Sequence, residues 1–486
     1  MALGKGMLRF TLALAIGPAL VAQEVDMAER LFSSGERAYA SKSYPEAIET
    51  WNQVIQQAPK SPFAAQALLR LARHQNEVEK KPEAALPFLE RIKIEHLKTS
   101  WAADAMLLRG RILAERSHDP TELKEAMAEY NRVVDLFPDH AAVAEARLLM
   151  GAGYKLQGQW GRALQNFTEV MRLNPAAPAA LTAQLQAAET LDLLGDGPGC
   201  LRMLQTLRNR APNSPEAREA QWRIQVRVKH RLLKAPFRSE GTWPAGRQKW
   251  LKTPTLLATG AAGELYIYQE DTDRISLLKE DGLTPVGPTA DAGRAIVVLP
   301  AGQVWLVAAK VGLVKEEGPA PPAAVIAAPS GAFRDDWGNL WISDAKSPSI
   351  LVIPPEGVAR SLPAPGIVAL AGLPTGGAAA ASDASRTLLF LDSEGRTKVS
   401  VPYGKDLPAA FKYVVALASD TLGHVAAIVD GDFEGVVLWG PDGSVLRSAT
   451  FKSLAIAGKF RAIALDHQGG VILADRSNDL LIRLDQ

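Results

Sequence analysis

Between residues 26 and 232 the apolar positions return every three or four residues, the spacing that turns one stripe of an α-helix toward a core. Past about residue 234 that spacing disappears. Short runs such as Glu264-Leu-Tyr-Ile-Tyr268 and Gln303-Val-Trp-Leu-Val307 take its place, alternating in period two and separated by glycine turns. The first pattern predicts helices. The second predicts strands of sheets with one face packed and the other exposed. A chain of 486 residues exceeds what one ordinary core organises, so two or three domains are expected.

The helical pattern repeats. Leu31, Gly35, Ala38, Ala47, Trp51, Val54 and Pro59 form one set, and Gly151, Tyr154, Ala163, Phe167, Val170 and Pro175 fill the same slots later. A third set is Ala188, Leu191, Cys200, Leu204, Leu207 and Pro212; weaker copies centre on Ala84/Phe88 and on Ala126/Tyr130/Val133/Pro138. A small residue on one helix and an alanine on the next let two backbones approach closely. The aromatic one turn after the alanine lies on the same face and fills the groove between hairpins. Proline then ends the second helix. These residues resemble the tetratricopeptide (TPR) repeat, in about five copies over 26–232, with a weaker likeness to TPR proteins of the bacterial envelope. The marker positions 47, 84, 126, 163 and 200 are slightly farther apart than the 34 residues usual for that family. The resemblance implies an α-solenoid whose first helices line a concave face for a protein or peptide segment. The positions carried over to that face are Glu36, Tyr39, Arg73, Asn76, Lys155 and Glu189. Their mixed character does not suggest a carboxylate clamp.

The strand half repeats as well. Glycines at 263, 302, 338, 377, 423 and 469 open turns before the clearest strands, and closing turns follow at 281–282, 317–318, 356–357, 394–395 and 442–443. Asp335-Asp-Trp-Gly338-Asn-Leu-Trp-Ile-Ser-Asp344 and the stretch from Asp466 to Asn478 resemble NHL repeats. The resemblance implies a β-propeller over 251–486, with six blades expected from six copies. The last copy lacks an outermost strand, and a ring has to hide its edges. A segment around Phe237 to Trp250, inside the turn-rich linker 233–250, is expected to complete it.

Composition adds mainly exclusions. Balanced charge, 54 Lys+Arg against 53 Asp+Glu, gives no basic footprint for nucleic acid. Cys200 is the single cysteine, so an internal disulfide and any Cys-based zinc site are excluded; it is expected as a small buried hydrophobe. Lys5 and Arg9 precede the apolar stretch Phe10–Ile16, and small residues follow it, the layout of a secretory signal over 1–22 cut after Ala19 or Ala22. The apolar run is short for a bilayer span, and an uncleaved anchor is the rival reading. A periplasmic or extracellular location follows as an expectation.

No H-E-x-x-H, Walker loop, G-x-S-x-G or C-x-x-C occurs. His424 and His467 beside turn glycines are read as solvent-facing, and no metal or cofactor is expected. The expected role is an exported protein-interaction scaffold without enzymatic activity. Its helical groove would hold one partner, and its propeller a second partner or an envelope polymer. The alternatives are a metal-assisted hydrolase or lyase using the propeller channel, and a purely structural spacer.

Overall fold

A computed structural model describes residues 24–485 except 118, 174, 176, 234, 245–248, 261–262, 280–281, 300–301, 309–311, 315–327 and 356–357. The expected export segment 1–22 and the closing turns at 317–318 and 356–357 lie outside the described residues. The chain divides into two compact units, Met1–Thr190 and Leu191–Gln486.

The first unit is a run of antiparallel helical hairpins. Its helices are α1 (24–40), α2 (Tyr44–Gln57), α3 (Pro62–Arg73), α4 (Pro82–Glu95), α5 (Trp101–Glu115), α6 (Leu123–Leu136), α7 (Ala142–Leu156) and α8 (Trp160–Leu173), and α9 (Pro178–Leu193) begins in it. The small-to-aromatic spacing read from the sequence is the packing rule of this unit. A Cβ on Gly35 would sit 2.5 Å from the Trp51 ring, one on Gly110 2.4 Å from Tyr130, and one on Gly151 2.5 Å from Phe167. Ala47, Ala126 and Ala163 are fully buried beside them. Serine caps open α3: Ser61 Oγ accepts from Ala64 N at 3.1 Å, and Pro62 fills the first helical position.

One repeat departs from the expected register. Ala84 is exposed, whereas Ala85 and Leu89 are buried, so the marker slots fall one residue later than Ala84 and Phe88. The cause lies upstream. α3 continues into a π-helical turn, His74–Val78, and a π turn takes up one residue more than an α turn.

The second unit opens with α10 (Gly197–Arg210) and α11 (Pro215–Arg227), the latter again running into a π turn, Val228–Leu232. Cys200 is buried within α10. Antiparallel sheets follow. Five are four-stranded, and the one built from Gly293–Val298, Val304–Ala308 and Gly312–Val314 has three strands among the described residues. The expectation of six full blades is corrected accordingly. The innermost strands pack against one another in order, and Phe460–Leu465 of the last sheet returns to Pro254–Thr259 of the first. The outer edge of the last sheet is occupied by Arg238–Thr242, antiparallel to the strand Leu480–Asp485.

The middle strands of several sheets keep no exposed face. Leu265–Gln269, Ala378–Ser382, Gly435–Trp439 and Val471–Asp475 are buried at every position. These middle strands lie between neighbouring sheets, so both their faces are interior and the runs are apolar nearly throughout, whereas outer strands such as Thr397–Pro402 stay largely exposed. The expected turn glycines at 263, 302, 338, 423 and 469 do adopt positive φ. In the remaining copy the role moves to Gly376 (φ 80°), because Pro374–Gly376 forms a short 3₁₀ turn that leaves Gly377 extended.

Two glycines of one hairpin make the packing rule testable. Gly151→Ala drives a methyl into Phe167 and should cost about 1–3 kcal/mol, as overpacking does. Gly161→Ala in α8 meets nothing within 4 Å and should be neutral or stabilise by up to about 1 kcal/mol. Thermal unfolding of the two variants checks this; equal shifts would refute a tight Gly151–Phe167 contact.

Candidate protein-binding face and a buried polar cluster

The six positions assigned to the concave face fall in two groups. On α1 and α3, the Arg70 guanidinium donates to Glu36 Oε2 at 2.5 Å. Tyr39 is half-buried in an aromatic cluster, its ring centroid 5.0 Å from Tyr44, 5.2 Å from Trp51 and 5.8 Å from His74. Burial pushes its phenol pKa upward, and Tyr44 and Glu77 add to the shift. Arg73 ends α3 and Asn76 sits on the π turn, both half-buried, on either side of the buried His74. The second group lies on α7 and α9. Lys155 Nζ pairs with Glu189 and donates to Gln186 Oε1 at 2.9 Å.

These pairs belong to a series that spacing alone did not bring out. Glu36 with Arg70, Arg111 with Glu145, and Lys155 with Glu189 each join one first helix to the next at a constant separation of 34 residues. Opposite charge at that offset is the signal in the sequence, and Arg70, Arg111 and Glu145 are the residues it adds. Glu36–Arg70 and Arg111–Glu145 are solvent-screened and individually weak, while Lys155–Glu189 is more buried; their shared geometry fixes how successive first helices face one another.

A stronger ionic node lies between α4, α5 and α6. Glu129 is 1% exposed, and its Oε1 accepts from Arg109 and Arg132 at 2.6 Å each and from Lys93 at 3.2 Å. Glu90 pairs with Lys93 and Arg109, and the hydrogen bond from Lys93 leads in holding its carboxyl below the ordinary range.

In the second unit the polar residues gather around aspartate turns. Asp335, Asp420 and Asp466 each accept the backbone N–H of the residues two and four places on, at 2.8–2.9 Å, which closes the Asp-x-x-Gly turn. The fourth residue's side chain can then return to the same carboxylate: Asn339 Nδ2 donates to Asp335 at 3.0 Å, and His424 Nδ1 to Asp420 at 2.7 Å. The aspartates six places after the turn glycine act across strands. Asp344 accepts from Ala328 N, and Asp475 from Lys459 N.

His424 therefore faces inward and is 2% exposed, which corrects its reading as a solvent-facing turn residue; His467 is exposed. The place in the turn accounts for the difference: His424 is four residues after Asp420 and returns to its carboxylate, whereas His467 is the residue next to Asp466 at the turn's corner. Against His424 lies His230 of the π turn, 1% exposed, with ring centroids 4.9 Å apart at 68°. Neither nitrogen of His230 and not Nε2 of His424 has a hydrogen-bond partner. Among the described residues no group of three or more His, Cys, Asp or Glu side chains is placed to hold a metal ion. No described helix is long and apolar enough to cross a membrane.

No protein-family model and no curated protein matches the sequence. Solved structures resemble its parts. A streptogramin B lyase is 14% identical, covering 51% of this chain and 97% of its own with a TM-score of 0.38. MamA is 14% identical over 38% of this chain and 93% of its own, with a TM-score of 0.32. YrrB, described as a TPR protein with an unusual peptide-binding site, is 19% identical over 39% of this chain and 90% of its own, with a TM-score of 0.31.

The ionic node predicts a graded response. Glu129→Ala leaves Lys93, Arg109 and Arg132 without their shared acceptor and should cost about 3 kcal/mol, whereas Glu129→Gln keeps one acceptor oxygen and should cost less. Urea unfolding of both variants measures this, and an unchanged midpoint for Glu129→Ala would refute the node.

Proposed function

We propose that this chain is an exported protein-interaction scaffold rather than an enzyme. In this reading the first helices of the TPR repeats hold a peptide or protein segment. The propeller, with its NHL-like turns, presents a second surface to another protein or to an envelope polymer. The observation that carries the proposal is the α1–α3 face. There Tyr39 and Tyr44 are the half-buried members of an aromatic cluster with Trp51 and His74, and Arg73 and Asn76 sit half-buried on the same helix end, while Glu36 and Lys155 are satisfied by ion pairs within the chain. Half-exposed tyrosines backed by buried rings, with an arginine and an asparagine close by in the chain, are residue types that binding hot spots favour. The pattern of residues 1–22 supports export.

The full-length chain would be used to capture partners from its own envelope extract, and a captured segment then titrated against purified protein. Tyr39→Ala and Arg73→Glu should each weaken that binding roughly tenfold, about 1.4 kcal/mol. Lys412→Glu, an exposed site in the other unit, should leave it unchanged. Saturable binding indifferent to Tyr39 and Arg73 would place the partner elsewhere and overturn this assignment of the face.

A further inference from the structure

The π turn Val228–Leu232 rests on the last two sheets through buried side chains and main-chain groups of both. His230 Nε2 lies 2.7 Å from where a Cβ on Gly469 would stand, so the turn fits only because residue 469 has no side chain. On the fifth four-stranded or three-stranded sheet in ring order, the turn before the strand Val425–Gly431 contributes His424 and Asp420. The outer strand Val445–Thr450 of the same sheet contributes Arg447. Arg447 is buried, its Nη2 donates to the Lys229 carbonyl, and its Nε and Nη1 have no partner. From the last sheet, Asp485 pairs with Lys229, and the Gln468 carbonyl accepts from Lys229 Nζ at 3.0 Å. Arg483 bridges Asp466 at 2.6 Å, Glu240 at 2.7 Å and Asp485 at 3.1 Å. The carboxylate nearest the two imidazoles, Asp420, is already engaged by His424.

This arrangement accepts neutral imidazole and opposes imidazolium. A proton on His230 would put a buried cation beside His424, Arg447 and Lys229, and the one carboxylate that faces it, Asp420, is shared with His424 and does not offset the burial. The consequence extends along the chain. Six residues after the turn begins the strand Arg238–Thr242, which occupies the outer edge of the last sheet. Glu240 in that strand is itself tied to Arg483.

We propose that the His230 turn is an acid-released latch: protonation drives it from its seat against Gly469, and the closing strand Arg238–Thr242 loosens with it. Burial, with His424 and Arg447 adding to it, holds the His230 pKa down to about 3, below the 6.5 of a free imidazole. The latch is thus fully engaged above pH 6.5 and weakens as the pH falls from 6.5 toward 3, by roughly tenfold per unit. Between pH 6.5 and 5 the ordinary carboxylates are still ionised, so histidine dominates that window.

Hydrogen exchange of the full chain, corrected for intrinsic chemistry, tests this between pH 7.5 and 5.0. Peptides covering 226–243 should exchange at least tenfold faster at pH 5.0, while those covering Leu265–Gln269 and Ala378–Ser382 keep their protection. His230→Gln, neutral throughout, should flatten the pH response even if its protection is lower at both pH values. His230→Phe serves the same purpose if the glutamine variant does not fold. A flat wild-type profile overturns the proposal. So does an unchanged response in the folded variant, or equal loosening of all peptides, which would mean general acid unfolding.

Discussion

A ring of sheets holds together only if its last sheet is closed as well as its first, and here one short pairing does that. Arg238 opposite Asp485 and Thr242 opposite Ile482 give the final sheet its fourth strand from chain that precedes the ring. Without them the strand Leu480–Asp485 would present a row of unpaired N–H and C=O groups, the edge that sheet proteins have to hide. The surrounding chemistry follows from this need. Arg483 on the closing pair gathers Asp466, Glu240 and Asp485, Lys229 reaches Asp485 from the π turn, and Phe237 is buried next to the guanidinium of Arg447. Much of the unit's buried charge is thus spent on one junction.

The helical half was legible in the sequence because its packing rule is local. Gly35 and Trp51, or Gly151 and Phe167, lie sixteen residues apart on adjacent helices, and their complementarity of size is visible as spacing. The rule slipped by one residue where α3 turns π, since no composition signal marks His74–Val78 as taking an extra residue per turn. The ion pairs between first helices join residues 34 apart. They can be found by charge complementarity only once the hairpins are known to stack.

The propeller half was legible in its punctuation and not in its environments. Turn glycines gave the copies because positive φ demands glycine whatever the surroundings. Alternation along the strands suggested an exposed face, yet sandwiching between neighbouring sheets buries both in the middle strands. The same blindness applied to His424: beside a glycine turn it has the look of a surface residue. Its environment is set by Asp420 four residues earlier and by His230, which lies nearly two hundred residues away.

The closing pairing also orders events in time. Thr242 and Ile482 are separated by the entire propeller, about as non-local a contact as this unit can make. During synthesis the strand 238–242 emerges early and waits, its edge unsatisfied, until residues 480–485 have been made. The helical hairpins, whose contacts are close in sequence, can form meanwhile. Ring closure is then a late, all-or-none step, and a chain interrupted anywhere short of Leu480 keeps two open sheet edges that only another chain could fill.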